Sequence, residues 1–556
     1  MSAAGTNAFE IVRFTKEGGP LTKKISLNAD GSTTSDGSAC VMSRGIAERI
    51  PLAGIAELAT LIPQLHSDQA IGLGALRWDL PDQVSVLTKD RLKQLNGHAG
   101  PSAIARTADS INYRNGLPGF ALCDYDSKGI SPEIETKLKS HGTYWAALCQ
   151  VLPALEGAAY VKRRSTSAGL LRTDTGEGLP GSKGVHIYIP VKDSGDIERF
   201  LKTVHERCWL AGFGWMMVGA GGQFLERSIV DRMVGAPERL VFEGKPVLVP
   251  PLDQDQDARR PVAVDGEMLD SLTACPPITL LEKARLHELK AKAAHLLAGK
   301  SDKARTEFID KQAERIIERT GMSRASAKEI AAKQCNGILL PTIELPFDDP
   351  ELAGNTVADV LKDPARFEGE TLADPLEGVG YGKCKAKIML RADGAPWINS
   401  FAHGRTIYEL KLDADAVRAA MDAVEKEEVL STFVRLVLQA SLDAVELEDL
   451  IAHAKERTGR GMRAIARTLK QAQEEENAKR EQTERNRRAA ERKDPRPQFP
   501  AAEPDAPWLP QMAAYNDVVG KAIDEVPPAR DIGGDATRIQ MIGIAGTHAF
   551  TAEPEG

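Results

Sequence analysis

The chain has 556 residues, 42% hydrophobic and 27% charged, with a formal net charge of −8. That length calls for roughly three or four domains, and the composition excludes a disordered or membrane-embedded chain. The acidic balance excludes an overall basic coat for nucleic acid, although local charge governs binding more than the total does. No apolar run approaches the roughly 18 residues of a spanning helix, and the opening "MSAAGTNAFEIVRF" lacks the basic flank and apolar core of a signal peptide. Seven scattered cysteines, never in CxxC, point to a reducing cytoplasm rather than to a disulfide framework or zinc ribbon. His205 and Cys208 have ligand-like spacing, but no second pair lies near them.

Residues 1 to about 100 mix strand-like pieces (Phe9 to Phe14, Val84 to Leu87) with a helical stretch around 45–65. The chain then alternates. A strand over 120–123 is followed by a helical pattern, "SPEIETKLKSHGTYWAALCQVL", with Ser131 as N-cap and Pro132 at the first helical position. A Gly/Ser/Thr loop, the strand "GVHIYIPV", the helix "DIERFLKTVHERCWLAG" and the strand-like "RSIVDRMV" complete the set. Alternation of this kind over about 100–250 predicts an α/β (α+β) catalytic domain, drawn as 1–275 with the first hundred residues included. A charged helical segment (276–335), a small mixed α/β module (336–412), a helix-forming region (413–493) and a Pro-rich hinge with a tail (494–556) follow.

The string D-x-D occurs four times, at 124/126, 253/255, 255/257 and 413/415. "DQDQDARR" fails as a calcium loop, because Ala258 replaces the required glycine and Val264 the required glutamate. "LDADAV" begins a helix, where acids favour the dipole. Only Asp124 and Asp126, in "FALCDYDSKG", end an apolar strand. Residues two apart on a strand point the same way, so the two carboxylates repel unless a proton or cation lies between them. In "GSKGVHIYIPV" the face opposite the apolar one carries His186 and Tyr188, and Ser182, Lys183 and Gly184 lead into it. A hydroxyl, a cation and a glycine suit the close approach of a phosphate. The plain alternative is a histidine on a solvated sheet face. Asp231 stands in an otherwise apolar run between Arg227 and Arg232, with an arginine pair as its ordinary explanation.

In order, "ALCDYD", "SKGVH" and "SIVD", with "RSTSAGL" upstream of the histidine and "APERLVFEGKP" downstream of the last acid, resemble the archaeo-eukaryotic primase superfamily. That family includes primase-polymerases of plasmids, phages and integrated elements. The resemblance implies an RRM-like catalytic sheet and templated nucleotidyl transfer. Asp124, Asp126 and Asp231 would hold two Mg²⁺ or Mn²⁺ ions, one promoting attack of a 3′-hydroxyl and the other stabilising the pyrophosphate. Ser182 and His186 would meet the nucleotide's phosphates or sugar, with Lys183 adding charge. Arg163, Arg164 and Ser167, in a stretch without acids, are assigned to nucleotide or template phosphates on local charge. The implied partners are a single-stranded DNA template, NTP or dNTP, and a replicative helicase; no membrane is expected. The zinc-binding insert of some relatives is missing, which favours extension over de novo initiation. On that resemblance the charged helices at 279–334 would be the helical domain that often follows these catalytic modules; the plain alternative is a bundle with solvated faces.

"EGVGYGKCK" fails the phosphate-loop pattern, because Glu377 and Cys384 hold the key positions. His403 in "SFAHGRT" lies on a strand-turn pattern. Two alternatives stay open: a non-catalytic replication initiator that keeps the fold, and a metal nuclease.

Overall fold

The computed structural model describes residues 9–88, 91–92, 95, 102–126, 129–181, 183–383, 385–391, 393–402 and 407–491. They divide into a large unit, up to Val424 together with Arg435–Leu450, and a smaller one made of Glu425–Val434 and the chain from Ile451. The large unit is mixed α and β with several sheets. Among the described residues no helix is long and apolar enough to cross a membrane.

The first sheet has the order Gln69–Gly72, Phe9–Lys16, Arg44–Leu52, Gln83–Leu87, Ala103–Ala105. The helix expected around 45–65 is mostly a strand here. Arg44–Leu52 pairs antiparallel with Phe9–Lys16 on one side and with Gln83–Leu87 on the other, leaving only Ile55–Leu61 and a short turn helical. Pro51 supplies the reason, since it disfavours helical backbone at Ile50 and donates no N–H.

The second sheet is antiparallel, in the order Gly119–Tyr125, Val185–Val191, Tyr160–Arg164, Val262–Val264. The unbroken apolar run of "FALC" reflects cover on both faces. Phe120 stacks on Phe9 at 4.4 Å, so the face of Phe120, Leu122 and Asp124 looks towards the N-terminal sheet. Tyr125 stacks on Tyr144 at 4.9 Å, so the face of Ala121, Cys123 and Tyr125 looks towards the helices. Phe9, Ile11, Leu58, Leu122, Ile187 and Phe200 belong to one buried cluster, which joins the first hundred residues to the second sheet.

The long helical pattern after the Gly119–Tyr125 strand resolves into two helices, Pro132–Ser140 and Tyr144–Val151. Ser131 caps the first and Thr143 the second, and Gly142 between them takes a φ of +77° that favours glycine. Helix Ile197–Leu210 buries Phe200, Leu201 and Val204 in the same cluster.

A second core joins helices Ala298–Thr320 and Arg324–Cys335 to a five-stranded sheet. Its order is Ile338–Leu339, Ile407–Leu410, Pro396–Ser400, Ala386–Leu390, Thr371–Leu372, and its core includes Ile316, Ile330, Ile388 and Tyr408. The boundary expected at 335/336 therefore falls inside one packed body. Helix Leu280–Leu296 belongs elsewhere, packing Leu286 with Trp209 and Ile278. Asp413 caps Ala414–Asp422 by accepting from the Ala416 N–H at 2.9 Å. In the smaller unit, Met462–Glu491 is the longest helix, with Ile465 and Leu469 buried. Ser182, Cys384, His403 and the 494–556 segment lie outside the described residues.

Candidate active site

The antiparallel register places Asp124 opposite His186 and His186 opposite Arg163, one row across three strands. His186 Nε2 lies 3.5 Å from Asp124 Oδ1. Asp231 reaches the same spot by a different route from the expected strand. The strand Phe224–Ser228 ends before it, and Asp231 caps the turn Arg232–Gly235, its Oδ1 accepting from the Met233 N–H at 2.8 Å. Its own N–H donates to the Asp124 carbonyl at 3.0 Å, a single rung that holds the two acids side by side. A turn rather than a strand follows because its carboxylate satisfies the N–H two residues on, which favours capping over a ladder. The arginine pair anticipated for Asp231 does not form among the described contacts. Arg232 lies 3.9 Å from Glu226, and Arg227 bonds Tyr381.

The strap that presents Asp231 is anchored from below. Tyr144 donates its hydroxyl to the Ile229 carbonyl at 2.8 Å. His205 Nδ1 donates to the Val230 carbonyl at 3.1 Å and lies 2.9 Å from the Ser228 hydroxyl. His205 thus serves the strap rather than pairing with Cys208 as a ligand. Tyr125, between the two acids of its strand, is buried and stacks on Tyr144, the residue that holds the strap.

Behind His186 stands a residue to which sequence reasoning gave no role. Glu243 is 1% exposed. Its Oε1 meets His186 Nδ1 at 2.5 Å and accepts from the Tyr188 hydroxyl at 2.6 Å; its Oε2 accepts from Arg163 Nη1 at 2.9 Å. Arg259 adds a second buried guanidinium at 3.8 Å. Burial alone would raise the Glu243 carboxyl, but His186 and Arg163 outweigh it and bring it to about 2. An ionised carboxylate only accepts, so His186 Nδ1 carries the proton and Nε2 is the atom presented towards Asp124. Burial also pulls the imidazole down, yet Glu243 and Asp124 together hold its pKa above the ordinary value. The signal for Glu243 lay in "ERLVFEGK", a lone acid after Leu240, Val241 and Phe242.

Arg163 is corrected in role. It is 4% exposed, donating to Glu243 and to the carbonyls of Arg259 and Ile62, and so lies under the site instead of on a phosphate. Lys183 is exposed and pairs with Glu135 at 2.7 Å. Arg164 is exposed at the end of its strand, and Ser167 is half-buried. The loop after Arg164 lies against the segment that leads into His186. Ser165 N–H donates to the Gly184 carbonyl at 2.9 Å, and a Cβ on Gly181 would meet the Ser167 carbonyl at 2.5 Å. Arg239, also given no role by sequence reasoning, is exposed at the rim, donates to the Met233 carbonyl at 2.6 Å and lies in the field of Asp124.

Among the described residues no three His, Cys, Asp or Glu side chains close into a ready cation cage. The chemistry of the donors still fits a hard divalent ion. Burial, followed by the charges of Asp231 and Asp126, holds the Asp124 carboxyl above its ordinary range, against the pull of His186 and Arg239. Carboxylates that disfavour one another's ionisation gain most from a cation between them, and oxygen donors suit magnesium or manganese.

The buried His205 yields a stability prediction. Burial lowers its pKa to about 4, from 6.5 in the open chain. Between those values the unfolded chain binds the extra proton, so stability falls as pH drops from 6.5 towards 4, by up to about 3 kcal/mol. Urea midpoints between pH 6.5 and 4.5 are expected to fall less steeply in His205→Gln than in wild type; parallel slopes would exclude a neutral buried His205.

Comparison with protein-family models, with curated proteins and with solved structures returns no match.

Proposed function

We propose that the chain is a metal-dependent, DNA-templated nucleotidyltransferase of the primase or primase-polymerase type, serving mobile-element replication. One observation carries this reading: the strand-end acid Asp124, the turn acid Asp231 and the oriented His186 converge at one end of one sheet. The strand order supports an RRM-like assignment. The chain runs strand, helices, two strands, helix, and the Asp231 strap then lies beside the first strand, which is the split β-α-β pattern.

In the reaction, Asp124 and Asp231, with Asp126, would hold the two divalent ions. Bound magnesium or manganese supplies Lewis-acid stabilisation of the charge that develops on the transferring phosphoryl group. The chain's own residues do the rest. His186, with Nδ1 committed to Glu243, turns Nε2 to an incoming phosphate oxygen and donates to it. Arg239 sits at the rim as an exposed cation in the field of Asp124, Lys183 is exposed and paired with Glu135, and Arg164 faces solvent on the opposite side of its strand. A single-stranded template and NTP or dNTP are the partners of this chemistry, and a replicative helicase is the partner implied for the wider reaction.

The deciding experiment incubates the protein with a primed single-stranded template, labelled nucleotides and Mg²⁺ or Mn²⁺. Lengthened products are expected. Template binding without synthesis under either metal would replace the reading with a non-catalytic initiator, and shortened template would indicate a nuclease. For His186→Ala the expected result is a KM for nucleotide raised about tenfold or more, as for the loss of a charge-assisted hydrogen bond, with template affinity unchanged. A collapse of template affinity instead would remove His186 from the nucleotide.

A further inference from the structure

The 338–410 sheet buries one face in its core and leaves the other half-exposed. Ile388, Ile398 and Tyr408 point into the core and are fully buried. The alternate positions form the outer face: the register sets Met389, Trp397 and Glu409 in one row, and Lys387, Asn399 and Ile407 in the next. Lys385 precedes the strand Ala386–Leu390 and Arg391 follows it, while Phe401 follows the central strand Pro396–Ser400 with 59% of its surface exposed. The Arg391 guanidinium lies 5.6 Å from the Trp397 ring centre and pairs with Glu409 at 2.5 Å. The outer face thus presents aromatic rings among Lys385, Lys387 and the Arg391–Glu409 ion pair.

We propose that this face binds single-stranded DNA, with bases stacking on Phe401 and Trp397 and phosphates meeting Lys385, Lys387 and Arg391. Every base has a π-face, so such a platform is tolerant of sequence. Cations between the rings meet the backbone that runs past them. The complementarity is local, which reconciles it with a chain of net charge −8.

The platform is fixed to the catalytic half. The Glu377 carboxylate accepts from Gln223 Nε2 at 2.6 Å and from the Ala220 N–H at 3.3 Å, while Ser301 donates to the Gly222 carbonyl. These contacts clamp the turn of the hairpin Gly214–Val218 and Phe224–Ser228, whose second strand runs directly into the strap that carries Asp231. The proposal rests on the nucleotidyltransferase reading only in naming the bound strand as template.

The test measures binding of a fluorescently labelled oligothymidine to the full chain across a salt series. Phe401→Ala combined with Lys387→Gln is expected to raise Kd about tenfold or more, the loss of one stacked base and one phosphate contact. The salt slope should fall by about 0.7 for the one cation removed from a single strand. Trp397→Leu serves as a second variant, and an unchanged melting temperature shows that both remain folded. Asp124→Ala is expected to bind as wild type does. Unchanged affinity in both folded variants overturns the platform, even where synthesis still depends on Asp124. Weakened affinity in a chain that makes no product under either metal upholds the platform and overturns the nucleotidyltransferase.

Discussion

Replacing Asp124 by alanine is expected to lower template extension at least about a thousandfold, with little change in stability or template affinity. The size follows from the proposed role. Electrostatic stabilisation of a transferring phosphoryl group supplies several kcal/mol, and each 1.4 kcal/mol is a factor of ten in rate. Asp124 sits where its carboxylate faces His186 and its carbonyl accepts from Asp231. Only the side chain is lost, so the rung to Asp231 survives. Its carboxyl is held above the ordinary range by burial and by its acidic neighbours. Removing it relieves repulsion, and the folded state is not expected to suffer. Asp231→Ala should lose extension to a similar degree. It should also lose stability, because that carboxylate caps the Arg232–Gly235 turn and a lost cap costs about 1 kcal/mol. Extension by Asp124→Ala above a tenth of the wild-type rate would remove the acid from the chemistry.

Glu243→Ala should act first on the fold. It leaves Arg163 and Arg259 buried without their carboxylate and strips His186 and Tyr188 of their acceptor. Removing one partner of a buried ion pair costs about 3–5 kcal/mol, because the remaining charge stays desolvated. Glu243→Gln keeps the shape and one acceptor oxygen, and should lose less stability. It also presents an amide that can donate to His186 Nδ1 and so reverse which ring nitrogen carries the proton. The folded Gln variant is therefore expected to show a raised KM for nucleotide while template affinity holds. Denaturant melts of both variants, with extension kinetics of the Gln form, check this. Wild-type stability in Glu243→Ala would show that the buried network does not hold the site.

Much of the candidate site's geometry is legible in the chain because its parts are short and local. A strand that ends in acids two residues apart, a Ser-Lys-Gly lead into a histidine, and an acid after an apolar run each occupy a few neighbouring residues. The strands Gly119–Tyr125 and Val185–Val191, the capped helix after Ser131 and the helix Ile197–Leu210 follow from local pattern. Two elements depart from their local pattern, which is ambiguous. "RGIAERIPL" has helix-forming residues but pairs on both edges as a strand. "SIVD" reads as a strand but leaves it two residues before the acid.

The residue types that can carry the chemistry, and the order in which they come, were determined by the sequence alone. What each of them touches was decided by tertiary structure. Arg163 and Arg164 are adjacent and chemically alike, yet one is sealed against Glu243 and the other faces solvent, because successive residues of a strand point to opposite faces. Glu243 lies 57 residues from its partner His186. It arrives there because Val241 bridges to Ile71 at the edge of the N-terminal sheet, whose core continues under the second sheet. No window of sequence contains that contact, and it is the contact that aims His186 at the acids.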